Sequence, residues 1–351
     1  MDKDKVKLFS EQVFADMAGA MTAGMAYLGV KTGLFRVMAG AGPMTLDEIV
    51  SRTGLHRRYV EEWLHGMTAA RYLTYDPAAR SFALPEEHAY LLASDDTDHF
   101  MGGLFAVAPA MLRVAPAVAE AFRKGGGVPF AECGPDCVIG LDLINRGTYA
   151  QRFTSYWLAA MPPVVSALAE GGRVLDVGCG AGRVCVAIAK DFPRAEIVGL
   201  DPDAESIRQA EAAAAEAGLA GRVRFIRGTT GTIERGSGFD LITACDCLHD
   251  FAAPRETLSE IRALLKPEGT LFIIEPKAAD ALERNINPIA TMFYGFSLFH
   301  CMTQSLAQGG PGLGTCMGPA RTEALLREAG FGRIERLEIR SPVNLFYAAR
   351  A

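Results

Sequence analysis

The chain has no excess of positive charge. Its 35 lysines and arginines are outnumbered by 41 aspartates and glutamates, for a formal net charge of −6. That balance speaks against nucleic-acid binding as its main business. It has no uncharged apolar run of about 18 residues, so no membrane span is expected. Its opening, Met-Asp-Lys-Asp-Lys, is polar and mixed in charge, unlike a secretory signal. The eight cysteines lack zinc-like pairing. Cys133 and Cys137 flank a Gly-Pro-Asp turn and could pair or share a metal, but no second Cys/His pair lies nearby. Cys179, Cys185, Cys245 and Cys247 fall in or beside core elements, the usage of reduced thiols in the cytoplasm. At 351 residues, half of them hydrophobic, the chain is long enough for about two domains.

What is there is a glycine loop. Residues 174–183 read Val-Leu-Asp-Val-Gly-Cys-Gly-Ala-Gly-Arg. The pattern predicts a strand over Arg173–Val177, a loop through Gly178, Gly180 and Gly182, and a helix over Val184–Lys190. Glycine serves where backbone turns tightly and a ligand approaches closely. A second strand, Glu196–Leu200, ends in Asp201, placed to accept from a ribose diol. The dinucleotide spacing Gly-x-Gly-x-x-Gly is missing, because Arg183 stands where it needs glycine. Asp176, just before the loop, is a poor neighbour for pyrophosphate and a good one for an ammonium.

This stretch, with Asp201, Phe239-Asp-Leu-Ile242 and Leu265-Lys-Pro-Glu-Gly-Thr-Leu271 in order, resembles the class I S-adenosylmethionine-dependent methyltransferases. The resemblance implies an α/β fold with a Rossmann-like seven-stranded sheet. It implies that Gly178, Gly180 and Gly182 line the methionine part of the cofactor and that Asp201 holds the ribose. Thr229 and Thr230, after a third strand at Val223–Ile226, fall near the adenine. Asp176 and Asp246 complete the expected cofactor set. Residues 333–350 alternate and match the closing antiparallel hairpin of that sheet.

The front of the chain differs. Phe9–Leu28 reads as an Ala/Met-rich helix. Thr45-Leu-Asp-Glu48 is a capping box, a second helix runs from about Arg57 to Ala70, and two short strands follow near Tyr72–Tyr75 and Ser81–Leu84. This is a winged helix over residues 1–100. Its charge is not basic, and similar domains in small-molecule O-methyltransferases dimerise. Met17, Met21, Met25 and Leu28 form an uncharged face that fits a homodimer interface, the expected state, or equally the core of the domain. A regulator that binds DNA and senses the cofactor is the alternative from another class. Residues 101–165 read as a helical connector over the active site, with Tyr149, Arg152 and Tyr156 as substrate contacts. Residues 166–351 form the catalytic domain.

Ligands bind at the carboxyl ends of parallel strands. The fourth strand, Phe239–Ala244, runs into Cys245-Asp-Cys-Leu-His-Asp-Phe251, and the fifth ends in Glu275. The Leu-His-Asp-Phe setting resembles plant-type O-methyltransferases. There the histidine deprotonates a substrate hydroxyl, which makes His249 the general base, with Asp250 orienting its ring and Glu275 on its other side. Residues 277–320 are too long for a simple connection and read as a lid that brings His300 to the site as a catalytic or substrate contact. Asp246, His249 and His300 could instead hold zinc or iron. That set resembles the metal-dependent α-keto acid C-methyltransferases. S-methylation of a thioether or thiol needs neither base nor metal. All three methyl-transfer readings take a small-molecule substrate.

Overall fold

The computed structural model describes residues 1–236 and 238–351. The chain divides into two compact units. One holds residues 1–109 and 139–147, the other residues 110–138 and 148–351. The helical stretch 101–165 is therefore shared between both units rather than forming a separate connector.

In the first unit, the helix Lys3–Lys31 starts on Asp2, whose carboxylate accepts from the Asp4 and Lys5 amides. Only Ala26 and Gly29 of this helix are buried. Val6, Phe9, Val13, Phe14, Met17, Met21 and Leu28 are exposed. Met25 differs from them. Its carbonyl accepts from the Trp63 indole and its side chain packs against the core, so it is not part of the exposed face. By length and composition the helix could cross a membrane. No uncharged run of about 18 residues occurs in it, because Asp16 interrupts the apolar stretch, yet its mean hydropathy stays high.

The capping box forms as expected. The Thr45 hydroxyl meets the Glu48 amide, and the Glu48 carboxylate reaches back to the Thr45 amide. Helices Leu46–Thr53 and Arg57–Ala69 follow. Three short strands, β1 (Met44–Thr45), β2 (Thr74–Asp76) and β3 (Ser81–Ala83), make an antiparallel sheet in the order β1-β3-β2. Phe35, Ile49, Trp63, Leu64, Met67 and Phe82 fill its core.

The second unit is built on seven strands. They are β4 (Arg173–Val177), β5 (Glu196–Asp201), β6 (Val223–Arg227), β7 (Phe239–Cys245), β8 (Leu265–Pro276), β9 (Arg333–Arg336) and β10 (Asn344–Arg350). Their order is β6-β5-β4-β7-β8-β10-β9, with β10 antiparallel to both neighbours. Period-two alternation assigns side chains to two cores. In β8, Phe272 and Ile274 enter one cluster, and Leu271 and Ile273 enter the other. Burying such a side chain contributes about 1.5–3 kcal/mol each, so both faces must be covered by helices. The chain winds outward from β4 in both directions. The crevice beyond the ends of β4 and β7 is thus the switch point where ligands bind in such sheets.

Residues 277–320 are mostly helical. Pro288–Phe296 and Met302–Ala307 are joined by a π-helical turn at Ser297–Cys301. Another π-helical turn, Phe153–Trp157, ends the helix Pro135–Arg152. Such turns often mark functional sites.

Candidate active site

The loop after β4 is shaped by glycine at two points. Gly178 has φ +69, and a Cβ there would lie 2.9 Å from Cys247 Sγ. Gly182 has φ +73, and its Cβ would press on Ala210 and Phe225. L-residues pay about 1–2 kcal/mol for left-handed backbone, and these two also have no room. Gly180 differs, because nothing lies within 4 Å of its Cβ position. Its amide donates to Asp201 Oδ2 at 3.0 Å, while Asp201 Oδ1 accepts from the Asp203 amide at 2.9 Å. Asp201 thus pins the loop to the end of β5. Burial raises its carboxyl above the ordinary range, partly offset by those two amides.

Asp176 is buried at the end of β4. It accepts from the Thr243 hydroxyl at 2.6 Å and the Cys185 thiol at 3.5 Å. Both donors are neutral, so burial pushes its carboxyl up to about 7. Thr230 is committed elsewhere, because its hydroxyl donates to Glu260. Thr229 is exposed.

His249 lies beyond β7 in the turn Leu248–Asp250. It is 2 % exposed. Its Nδ1 is 2.7 Å from Glu275 Oε2, and the other oxygen of Glu275 accepts from the Leu248 amide at 3.1 Å. Asp250 Oδ1 is 3.5 Å from Nε2. The expected roles of the two acids are therefore exchanged. Glu275 orients the ring because β8 delivers it to Nδ1, while Asp250 faces the opposite nitrogen. Burial works against the imidazolium, but the Glu275 and Asp250 carboxylates outweigh it and hold His249 well above the ordinary histidine range.

His300 comes from the π-helical turn. It is 6 % exposed and stacks on Phe130, with centroids 5.2 Å apart. Burial holds its pKa below the ordinary value. Its Nδ1 and Asp250 Oδ1 are both buried without a hydrogen-bond partner among the described residues. Buried polar atoms are usually paired. Two orphans beside one histidine suit a ligand that brings its own polar group.

The trio Asp246, His249 and His300 does not form a metal centre. The Asp246 carboxylate is turned to the Tyr149 hydroxyl at 3.1 Å and Asn344 Nδ2 at 2.9 Å. Among the described residues, the group that gathers its ligand atoms within 4.8 Å is His249, Asp250 and Cys301. Cys301 was not foreseen, since nothing in a lone cysteine 52 residues downstream points to His249. Asn344 could have been found. An antiparallel strand beside β8 must start at the catalytic edge, and Asn344 pairs with Pro276.

Of the three expected substrate contacts, only Tyr149 is buried in the site; Arg152 and Tyr156 are exposed. The π-helical turn explains Tyr156, because its extra residue breaks the helical spacing that placed Tyr156 on the face of Tyr149. The Tyr156 hydroxyl instead accepts from the Arg340 amide at 3.3 Å. Cys133 and Cys137 are buried free thiols. Cys133 shares a hydrogen bond with Cys137, and its Sγ lies 3.9 Å from the Phe299 carbonyl.

Known proteins agree with this architecture. Residues 168–310 match a family model described as a methyltransferase domain, and residues 20–94 match the Rv2258c-like winged HTH domain. The chain carries both domains. It is 31% identical over 163 residues to the methyltransferase phqN of Penicillium fellutanum, 46% of each protein. It is 35% identical over 108 residues to a ubiquinone biosynthesis O-methyltransferase of Actinobacillus pleuropneumoniae, 29% of this chain and 44% of that one. The chain thus spans under half the length of these curated relatives. Among solved structures, human N-acetylserotonin methyltransferase in complex with SAM has a TM-score of 0.70 at 18% identity, covering 97% of this chain and 98% of that one. An O-methyltransferase family protein from Burkholderia thailandensis has a TM-score of 0.69 at 18% identity, covering 100% and 98%. These structures share the fold.

Proposed function

We propose that this chain, a methyltransferase domain behind a winged-helix domain, transfers the methyl group of S-adenosylmethionine to a hydroxyl of a small molecule. His249 is the general base. The observation that carries this reading is the buried His249–Glu275 pair, two residues beyond Cys247, whose side chain packs on the glycine loop at Gly178. The relative named as a ubiquinone biosynthesis O-methyltransferase supports it.

The residues divide the work. Gly178, Gly180 and Gly182 leave room for the methionine part, Asp201 accepts from the ribose, and Asp176 offers a carboxylate to the ammonium. When bound, the cofactor supplies an electrophilic methyl on a sulfonium. Glu275 accepts a hydrogen bond from the Nδ1–H of His249, so Nε2 is the basic atom. Asp250 Oδ1 and His300 Nδ1 meet the polar group of the acceptor. A positioned base contributes about 10²–10⁴-fold in rate. Helices from residues 277–320 shield the site from water. The exposed apolar side chains of Lys3–Lys31 favour a homodimer.

The test is titration calorimetry with S-adenosylmethionine, followed by transfer from methyl-labelled cofactor to a panel of phenols and alcohols. Cofactor binding and an O-methyl ether are expected. No binding, or label on carbon or sulfur, would contradict the reading.

A second reading has one observation in its favour. His249, Asp250 and Cys301 would hold a zinc or iron ion, with Glu275 behind the histidine as metal sites require. Such an ion would supply Lewis acidity for C-methylation of an α-keto acid. It competes with the base role, since Glu275 already holds Nδ1 and both roles need Nε2. Stoichiometric metal in the purified protein, with activity lost on chelation, would favour it. Full activity after chelation would remove it.

A further inference from the structure

Asp246 has an unusual backbone and an unusual set of partners. Among the described residues it is one of three non-glycine residues at positive φ, with φ +50. The strain is held by its amide, which donates to the Ile274 carbonyl of β8 at 2.8 Å. Its carboxylate accepts from two neutral donors, Tyr149 on one side and Asn344 on the other. A carboxylate has about four acceptor sites, so two remain open. The residue as a whole is half-buried.

Its position matters more. Val177 pairs with Ala244 across β4 and β7, so the loop from Gly178 and the segment from Cys245 leave the sheet at the same level. A Cβ on Gly178 would touch Cys247. His249 follows in the next turn and acts electrostatically on Asp246. Along the chain, Asp246 therefore falls between the strand end beside the donor loop and the base. On the reading proposed above, the methyl-bearing sulfur faces that interval.

We propose that Asp246 is the residue that distinguishes the charged methyl donor from its neutral product. In the reaction the S–CH3 bond breaks and its electron pair stays on sulfur. The methyl bonds to the acceptor oxygen, whose proton goes to His249. The sulfonium becomes a thioether and its positive charge is lost. A carboxylate beside that sulfur attracts the donor and has no such hold on the product. Tyr149 and Asn344 fix the carboxylate without neutralising it. Burial first, then Glu275, pushes the Asp246 carboxyl up to about 7 despite His249 and Tyr149, as befits an acid short of positive charge. The consequence is weaker product inhibition.

This inference rests on the S-adenosylmethionine reading, and one experiment separates the two. Titration calorimetry at pH 8 would compare S-adenosylmethionine and S-adenosylhomocysteine on the full chain and on Asp246→Asn. Asparagine tolerates left-handed backbone, so the variant keeps the turn, and product binding reports that it is folded. The expected result is about a tenfold loss of donor affinity, near 1.4 kcal/mol, with product affinity changed less than about twofold. Equal losses for both ligands, or no loss for either, overturn the proposal. As a check on the unaltered protein, sinefungin, whose amine replaces the sulfonium, should bind more tightly than S-adenosylhomocysteine; equal binding counts against it. If the unaltered protein binds none of the three, the cofactor reading itself fails.

Discussion

The two sides of the active site are finished to different degrees. On the donor side, polar groups are paired within the protein. Asp201 accepts from Gly180 and Asp203, and Asp176 accepts from Thr243 and Cys185. On the acceptor side, Asp250 Oδ1 and His300 Nδ1 are buried without a hydrogen bond among the described residues, Asp250 Oδ1 having only its 3.5 Å contact with His249 Nε2. A cradle for one fixed cofactor can be satisfied in advance. A pocket for an acceptor keeps polar atoms in reserve, at a cost of about 1–3 kcal/mol per unsatisfied group.

The largest effect that would sharpen this contrast is expected from Glu275→Gln. His249 must be neutral to accept a proton, so turnover rises with pH through its pKa, which the adjoining carboxylates hold high. Removing the Glu275 charge should lower turnover by about 10-fold or more and move the rising limb of the rate profile to lower pH. A pH–rate series checks this, and an unshifted limb would separate Glu275 from the base.

Asp201→Ala is expected to act on the donor side alone. Cofactor affinity should fall about tenfold, some 1.4 kcal/mol, by calorimetry, with little change in the affinity for the acceptor. Equal losses on both sides would break the division.

The smallest effect concerns stability. The Asp176 carboxyl is raised to about 7 when folded, against about 3.9 unfolded. The folded state therefore holds a proton that the unfolded state has released. Stability is lost as pH rises between those values. Melting curves from pH 4 to 8 should show this decline, and Asp176→Asn should flatten it by about 2–4 °C at the upper end. An unchanged slope would mean that Asp176 is ionised in the folded protein.

The same contrast governs what could be read from sequence. The donor side is local. Gly178, Gly180, Gly182 and Asp201 lie within 24 residues, and each answers a short-range demand for positive φ or a strand end. The strand order followed, because alternating apolar residues and a closing hairpin leave few ways to complete the sheet. The acceptor side depends on distant segments. His300 and Cys301 reach His249 through a π-helical turn whose extra residue no spacing rule anticipates, and the same kind of turn moved Tyr156 out of the site. The exchange of Glu275 and Asp250 was hidden too, since sequence shows that two acids are near a histidine but not which nitrogen each meets.

One paired determination tests the central claim. In His249→Ala, S-adenosylmethionine affinity and the rate of S-adenosylhomocysteine formation would be measured on the same preparation with the same hydroxyl acceptor. The account predicts cofactor affinity within about twofold of the unaltered protein and turnover reduced by at least about 10². Turnover that survives the substitution would contradict it.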